Sequence, residues 1–385
     1  MANVKLSNVI RRAQTKVDKD DTDLVFYVGG EHIESENIRV HSRGIIAEST
    51  IGPMFYYGFK AGDFLLVSRN PHLKKAGLVD FDGICSEKTF VLETANSDVL
   101  LPEFLPFVLQ NERFWDYAYR HRHGSTNTFI NWSTLANYEF ELPDLETQRK
   151  LAEVLWSIND TMEAYKNLIS ATDELVKSQF MEQFGDPSNN VYGYPVTTLK
   201  EVAVGPLSYG SVSSATEFDG ITRYVRITDI MDDGNLGRDI KSATKTEAKY
   251  LLHEGDILFA RTGATVGKTC RYRENYGRAI YAGFLIRLIP DTTLIDPDYL
   301  YHFTKSDYYW DFVRSAQRVV AQPNINAQEY GDLQILLPKI EAQKSFAAFV
   351  QQSDKSKFAI QCCSNLNLWS SSVMPQPIQR DYRLP

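Results

Sequence analysis

The sequence predicts an α+β protein: two similar modules of mixed α/β structure, separated by long helices that form an antiparallel coiled coil. Three observations carry this. Segments recur at a spacing of about 195 residues, each recurring block mixes strand-like and helix-like patterns, and each block runs into a long helix, the first with heptad spacing.

The repeat is read directly. Phe129-Ile130-Asn131 and Leu142-Pro143-Asp144-Leu145-Glu146-Thr147-Gln148-Arg149-Lys150 have counterparts at Asn324-Ile325-Asn326 and Leu337-Pro338-Lys339-Ile340-Glu341-Ala342-Gln343-Lys344, all offset by 195. The same offset carries Pro102-Glu103-Phe104-Leu105 onto Pro297-Asp298-Tyr299-Leu300, and Phe114-Trp115-Asp116-Tyr117 onto Tyr309-Trp310-Asp311-Phe312. Offsets of 193 and 197 match Gly62-Asp63-Phe64-Leu65 to Gly255-Asp256-Ile257-Leu258 and Tyr27-Val28 to Tyr224-Val225. One register held this far implies duplication, and its length excludes an array of short repeats.

Within each copy, Asp63 to Val67, Thr89 to Leu92, Tyr224 to Ile230, Asp256 to Ala260 and Phe284 to Ile289 read as strands between Gly, Asp and Asn turns. Pro102 to Tyr119 and Pro297 to Ala316 read as helices opened by a proline, which the first turn tolerates. After Leu142-Pro143 comes the long helix. Its seam is Leu155, Ile158, Met162, Tyr165, Ile169, Thr172 and Val176, spaced alternately by three and four, and it ends at Gly185-Asp186-Pro187. Forty residues at 1.5 Å each make a rod of about 60 Å, too long to hide its seam without a partner helix. The repeat supplies that partner from Glu341. Its equivalent seam keeps only Val350 and Ile360 apolar, so residues 361–385 read as a divergent tail, frayed or ordered. The expected partition is 1–143, a spacer helix 144–190, a second module 191–338, and a second, shorter helix 339–385.

At 385 residues, 43% hydrophobic and 23% charged, the chain has the composition of a globular protein of two or three domains. No stretch approaches the roughly 18 apolar residues of a membrane span, no signal-peptide pattern opens the chain, and the four cysteines form no framework. The expected address is the cytoplasm, with no membrane. The net charge of −8 excludes only a uniformly basic nucleic-acid binder, since phosphate contact depends on local clustering.

The two modules, each followed by Leu-Pro-x-x-Glu-x-Gln and a long helix, resemble the specificity subunits of type I restriction-modification systems. Gly255-Asp256-Ile257-Leu258-Phe259-Ala260-Arg261-Thr262-Gly263, continued by Val266-Gly267-Lys268, is similar to the signature of that family's target recognition domains, and Phe180-Met181-Glu182-Gln183-Phe184-Gly185 to the end of its spacer helix. The first copy departs from the signature, having Val67-Ser68-Arg69-Asn70-Pro71 there, and the tail departs completely. The resemblance implies a scaffold that reads double-stranded DNA in two half-sites and holds methyltransferase (modification) subunits and a restriction/translocase subunit, with no cofactor, no metal and no catalytic residue. The other reading is a non-enzymatic protein interaction scaffold whose two binding domains are spaced by the coil.

Candidate DNA contacts come from charge clustering. Residues 259–287 hold Arg261, Lys268, Arg271, Arg273, Arg278 and Arg287 against Glu274 alone, interleaved with Tyr272, Tyr276 and Tyr281. Cations there can meet phosphates, and an arginine fork can read guanine. Thr262 lies in the same loop and Asn324 in the polar stretch that follows Gln317-Arg318. In the first copy the equivalents are Arg69, Lys74 and Lys75, with Arg120, Arg122 and Asn127 around a polar tip. The rod carries six acids against Lys166 and Lys177 over 151–185, which suits a protein partner better than DNA. Gly263 to Thr269 has one residue too few between its glycines for a P-loop, and Asp80, Asp82, Glu87 and Lys88 have no counterpart in the second copy; neither nucleotide binding nor a nuclease is inferred.

Overall fold

The structure, a computed structural model, describes residues 2–317 and 324–364. The described chain divides within the long helix, into one unit up to Glu163 and a second from Ala164.

The first unit runs β1 (Ala2–Lys5), α1 (Leu6–Val9), β2 (Ile10–Ala13), β3 (Phe26–Val28), β4 (Gly44–Ile45), β5 (Phe55–Phe59), β6 (Phe64–Val67), β7 (Ala76–Leu78), β8 (Gly83–Ser86) and β9 (Thr89–Thr94). Then come α2 (Leu105–Leu109), α3 (Glu112–Arg120), α4 (Trp132–Leu135), β10 (Glu139–Leu142) and the start of α5 (Leu145–Phe184). One sheet has the order β2-β9-β6-β7, another β4-β3-β8-β5, and β1 pairs antiparallel with β10.

The second unit repeats this plan. After the rest of α5 it runs β11 (Val196–Thr198), β12 (Ser208–Tyr209), β13 (Ala215–Glu217), β14 (Arg223–Val225), β15 (Lys241–Ala243), β16 (Ile257–Ala260), β17 (Thr269–Arg271), β18 (Ala279–Tyr281) and β19 (Leu285–Leu288). Helices α6 (Pro297–Phe303), α7 (Asp307–Gln317) and α8 (Ala327–Gly331), strand β20 (Gln334–Leu336) and helix α9 (Ile340–Ser364) complete it. The sheet β12-β19-β16-β17 matches β2-β9-β6-β7, the parallel pair β14·β18 matches β3·β8, and β11·β20 matches β1·β10. The sequence repeat is a repeat of topology.

Strand β6 in the first unit and strand β16 in the second are buried on both faces. Phe64 and Leu66 enter one core with the helices, while Leu65 and Val67 enter another beneath the second sheet. Ile257 and Phe259 divide from Leu258 and Ala260 in the same way. That is why these runs are continuously apolar, where a half-exposed strand would alternate.

Three expectations need correction. Pro102 to Tyr119 and Pro297 to Ala316 are each two short helices. Asn111 caps the second of the first pair by accepting from Arg113 N at 2.9 Å, and in the second pair Ser306 Oγ accepts from Tyr309 N at 3.3 Å. The strand expected over Tyr224 to Ile230 stops at Val225, and Ile227–Asp229 forms a 3-10 turn in which Asp229 accepts from Arg226 N. The helix α9 continues to Ser364; the remainder of the expected tail, and Arg318 to Pro323 of the polar stretch, lie outside the described residues.

The long-helix joint has one buried device in both copies. Gln148 accepts from Leu101 N and donates to Val99 O and Pro143 O, at 2.9, 2.9 and 2.8 Å. Gln343 accepts from Asp296 N and donates to Leu294 O and Pro338 O, at 2.8, 3.2 and 2.8 Å. Each partner is displaced by the same 195, which explains the glutamine of the repeated motif: it satisfies three backbone groups where strand turns into helix. In the second unit the two long helices run antiparallel. The rings of Phe180 and Phe184 lie 5.5 and 5.6 Å from Phe346, and Asp173 pairs with Lys357 further along. Every seam residue from Leu155 to Val176 is buried or half-buried, while Val154, Leu168 and Leu175 stand exposed.

Candidate nucleic-acid interface

In the second unit the geometry gathers Arg261, Thr262 and Asn324 at the end of β16. Thr262 and Asn324 pair as an isolated antiparallel bridge, and Arg261 O accepts from Ile325 N at 2.9 Å. Arg261 Nε donates to Asn324 Oδ1 at 3.1 Å, and the guanidinium lies 4.7 Å over the Tyr209 ring. Tyr209 is itself held, its hydroxyl accepting from Ala327 N at 3.0 Å. Arg261, Thr262, Phe284 and Asn324 line a shallow cleft of about 280 Å³. Tyr209 and Phe284 were not expected from the sequence, although Phe284 follows Gly283 at the start of an apolar strand and its ring is 60% exposed.

The other expected cations of this segment sit elsewhere. Strand alternation turns Thr269 and Arg271 to the face covered by α6: Thr269 Oγ1 meets Thr304 Oγ1 at 2.6 Å, and Arg271 pairs with Asp298 at 2.9 Å and Glu254 at 3.2 Å. The Arg271 side chain is 12% exposed and that of Asp298 3%. Burial pushes the Asp298 carboxyl above its ordinary range, and Arg271 opposes that shift. Arg273 pairs with Asp354 of α9 at 2.9 Å, Lys268 with Asp232 at 2.6 Å, and Arg287 lies 3.6 Å from Asp256. The basic window is thus largely neutralised by acids distant in sequence. Gly267 closes the loop at φ +86°, where an added Cβ would fall 2.6 Å from Val313. A strand follows it, as expected, and no phosphate-binding helix.

In the first unit Arg69 is exposed at the equivalent strand end, bridged to Phe129. His123 and Phe129 exchange backbone hydrogen bonds of 2.7 and 2.9 Å, closing the polar tip that carries exposed Asn127. Arg122 folds back onto Tyr119, donating to its carbonyl at 2.6 Å, and Arg120 is exposed at the end of α3. Lys74, in a left-handed conformation at φ 49°, is held by Glu36 at 2.9 Å and Glu112 at 2.7 Å, and Lys75 donates to Gly30 O at 2.6 Å. Those two lysines brace the loop. Elsewhere in this unit Lys16 lies 5.8 Å from the Tyr56 ring and Arg12 5.3 Å from Tyr57, and the Glu87 carboxyl, held low first by Lys88, also feels Arg69. Among the described residues no His, Cys, Asp and Glu group could hold a metal ion, and no helix is long and apolar enough to cross a membrane.

Comparison with known proteins adds sequence and fold similarity. The family described as type I restriction modification DNA specificity domain matches residues 11–171 and again 194–363. The type I restriction enzyme HindI specificity subunit of Haemophilus influenzae is 26% identical over 132 residues, which cover 33% of this chain and 28% of that protein. The match therefore spans under a third of that relative's length. The S subunit of a type I restriction-modification system from M. genitalium is similar in fold, with a TM-score of 0.55 at 14% identity over 94% of this chain and 93% of that one. An HsdS subunit from Thermoanaerobacter tengcongensis gives a TM-score of 0.38 at 19% identity, over 94% and 91%.

Proposed function

This chain belongs to the type I restriction modification DNA specificity domain family, matched twice along its length, and from that premise we propose that it reads a bipartite DNA target for a restriction-modification complex. The observation that carries the reading is internal. Two units repeat one backbone plan, and each ends a central strand beside a partly exposed loop: Arg69 bridged to Phe129 at the foot of the tip that carries Asn127 in one, Arg261 bonded to Asn324 in the other. Two similar, non-identical readers suit a target of two different half-sites.

In this reading the partners are double-stranded DNA, methyltransferase subunits and a restriction/translocase subunit, and the chain works in the cytoplasm without catalysis of its own. Residues 1–143 and 191–338 are the readers, and 144–190 and 339–385 the helical segments. Arg69, Arg120, Arg122, Asn127, Arg261, Thr262 and Asn324 face the DNA. Lys74, Lys75, Lys268, Arg271 and Arg273 act mainly by holding the fold, given their internal partners. The exposed Leu168 and Leu175, seven residues apart on an acidic helix, favour a protein partner there.

The test is methylome sequencing of cells that express the chain with a cognate methyltransferase. A split methylated motif that vanishes without the chain is expected. A protein scaffold would leave the methylome unchanged and retain no DNA at any salt concentration, whereas a reader loses affinity steeply as salt rises.

A further inference from the structure

The backbone hydrogen-bond patterns of the two units coincide at four positions. Arg261 N donates to Phe284 O at 3.1 Å and its carbonyl accepts from Ile325 N; Ser68 N donates to Lys88 O at 2.7 Å and its carbonyl accepts from Ile130 N. Ser68 therefore stands where the second unit has Arg261, and Lys88 where it has Phe284. The bridges Arg69–Phe129 and Thr262–Asn324 place Phe129 where the second unit has Asn324. Tyr209 lies opposite Ile286, itself opposite Phe259. In the first unit Leu66 faces Phe90, and Ala13 faces Val91, so the position facing Phe90 is Gln14, the residue after β2. One backbone frame thus carries Gln14, Ser68, Lys88 and Phe129 in one unit, with Ser68 buried and its hydroxyl donating to Lys88 O at 2.7 Å, and Tyr209, Arg261, Phe284 and Asn324 in the other. No position agrees.

Resting on the DNA-reading function, we propose that these four positions set which bases each unit accepts, and that in the second unit Arg261, clamped by Tyr209 and Asn324, reads a guanine. Both units meet the same sugar-phosphate backbone, so positions that serve phosphate have reason to agree between copies, and these do not. Phosphate also needs only a charge, which any mobile lysine supplies. Arg261 is instead oriented twice, by a ring under its guanidinium and by the acceptor on Nε. Its two terminal nitrogens have no partner among the described residues, and two parallel donors match guanine O6 and N7 in the major groove. Tyr209 and Asn324 are positioning residues, and Phe284 walls the cleft.

The test selects from a pool of randomised duplex DNA with the full chain co-expressed with its methyltransferase. Wild type should enrich a motif with two halves. Arg261→Lys, which keeps the charge and loses the fork, should reduce discrimination at one base pair of one half by about tenfold or more. Phe284→Ala, at a ring that is 60% exposed and so indifferent to folding, should alter the same half. Gln14→Ala and Lys88→Ala should alter the other. An unchanged motif in the second-unit variants, or weakening equal across all sequences, overturns the proposal and makes Arg261 a phosphate anchor. A wild-type chain that enriches no sequence would instead fail the DNA-reading function itself.

Discussion

At the scale of residues, the charge window is where sequence and structure part. Counting neighbours along the chain sums Arg261 to Arg287 as free cations, whereas folding brings Asp298, Asp354, Asp232 and Asp256 to four of them. Only Arg261 and Arg278 are left outside these pairs, and the acids that meet the other four lie too far along the chain for a local charge count to include them. Arg271→Ala should consequently destabilise the second unit by about 3–5 kcal/mol, because it strands a buried carboxylate. Denaturant unfolding measures this, and a base-contact role with unaltered stability is the result that would contradict it. A second residue sets an acid limit. Burial, and then Lys305, Lys357, Arg273 and Arg271, push the His302 imidazole down to about 3, and its ring lies 5.4 Å from Phe346. The fold keeps it neutral while the unfolded chain protonates it near its ordinary value. Its contribution to stability is complete above pH 6.5 and lost as pH falls from there toward 3. Melting temperature should fall less steeply over that range in His302→Gln than in wild type; parallel slopes would exclude the assignment.

At the scale of elements, periodicity exposed the long helix and its seam, because that pattern repeats over many residues, and the central strands stood out as short apolar runs between turn residues. It missed the breaks at Gln110 and Thr304, which depend on single side chains, Asn111 and Ser306, each capping the second helix of its pair. The glutamines at the helix joints were visible as a repeated letter, but their role required seeing three backbone partners each. Gln343→Leu should cost about 3 kcal/mol or more by leaving those buried groups unpaired, and Gln148→Leu should do the same to the first unit. Thermal or denaturant unfolding of either variant decides it, and wild-type stability would show the groups are satisfied otherwise. On the exposed face of α5, Leu168→Glu with Leu175→Glu should reduce co-purification of the methyltransferase and leave the DNA motif intact. Loss of the motif with the partner still bound would reverse that reading.

At the scale of the whole molecule, the duplication was legible because its register spans most of each copy, from Tyr27-Val28 to Gln148, and the same offset reappears in hydrogen bonds. Of the positions proposed to set the bases, Arg261 and Asn324 stood out by charge and polarity, whereas Gln14, Ser68, Phe129, Tyr209 and Phe284 did not, since a repeat search discards the places where the copies disagree. Exchanging residues 191–338 for the same region of a relative should change one half of the methylated motif only; if both halves change, the readers are not independent. The closing of each unit by its outermost strands bears on how the chain acquires its structure. Ala2 pairs with Leu142 and Val196 with Leu336, so each sheet edge waits for a strand synthesised more than a hundred residues later. A ribosome releasing the chain from its N-terminus lets β1 find β10 before β20 exists. Refolding from denaturant removes that order and exposes four interchangeable edges at once, so slow, mispaired species are expected there and not during translation.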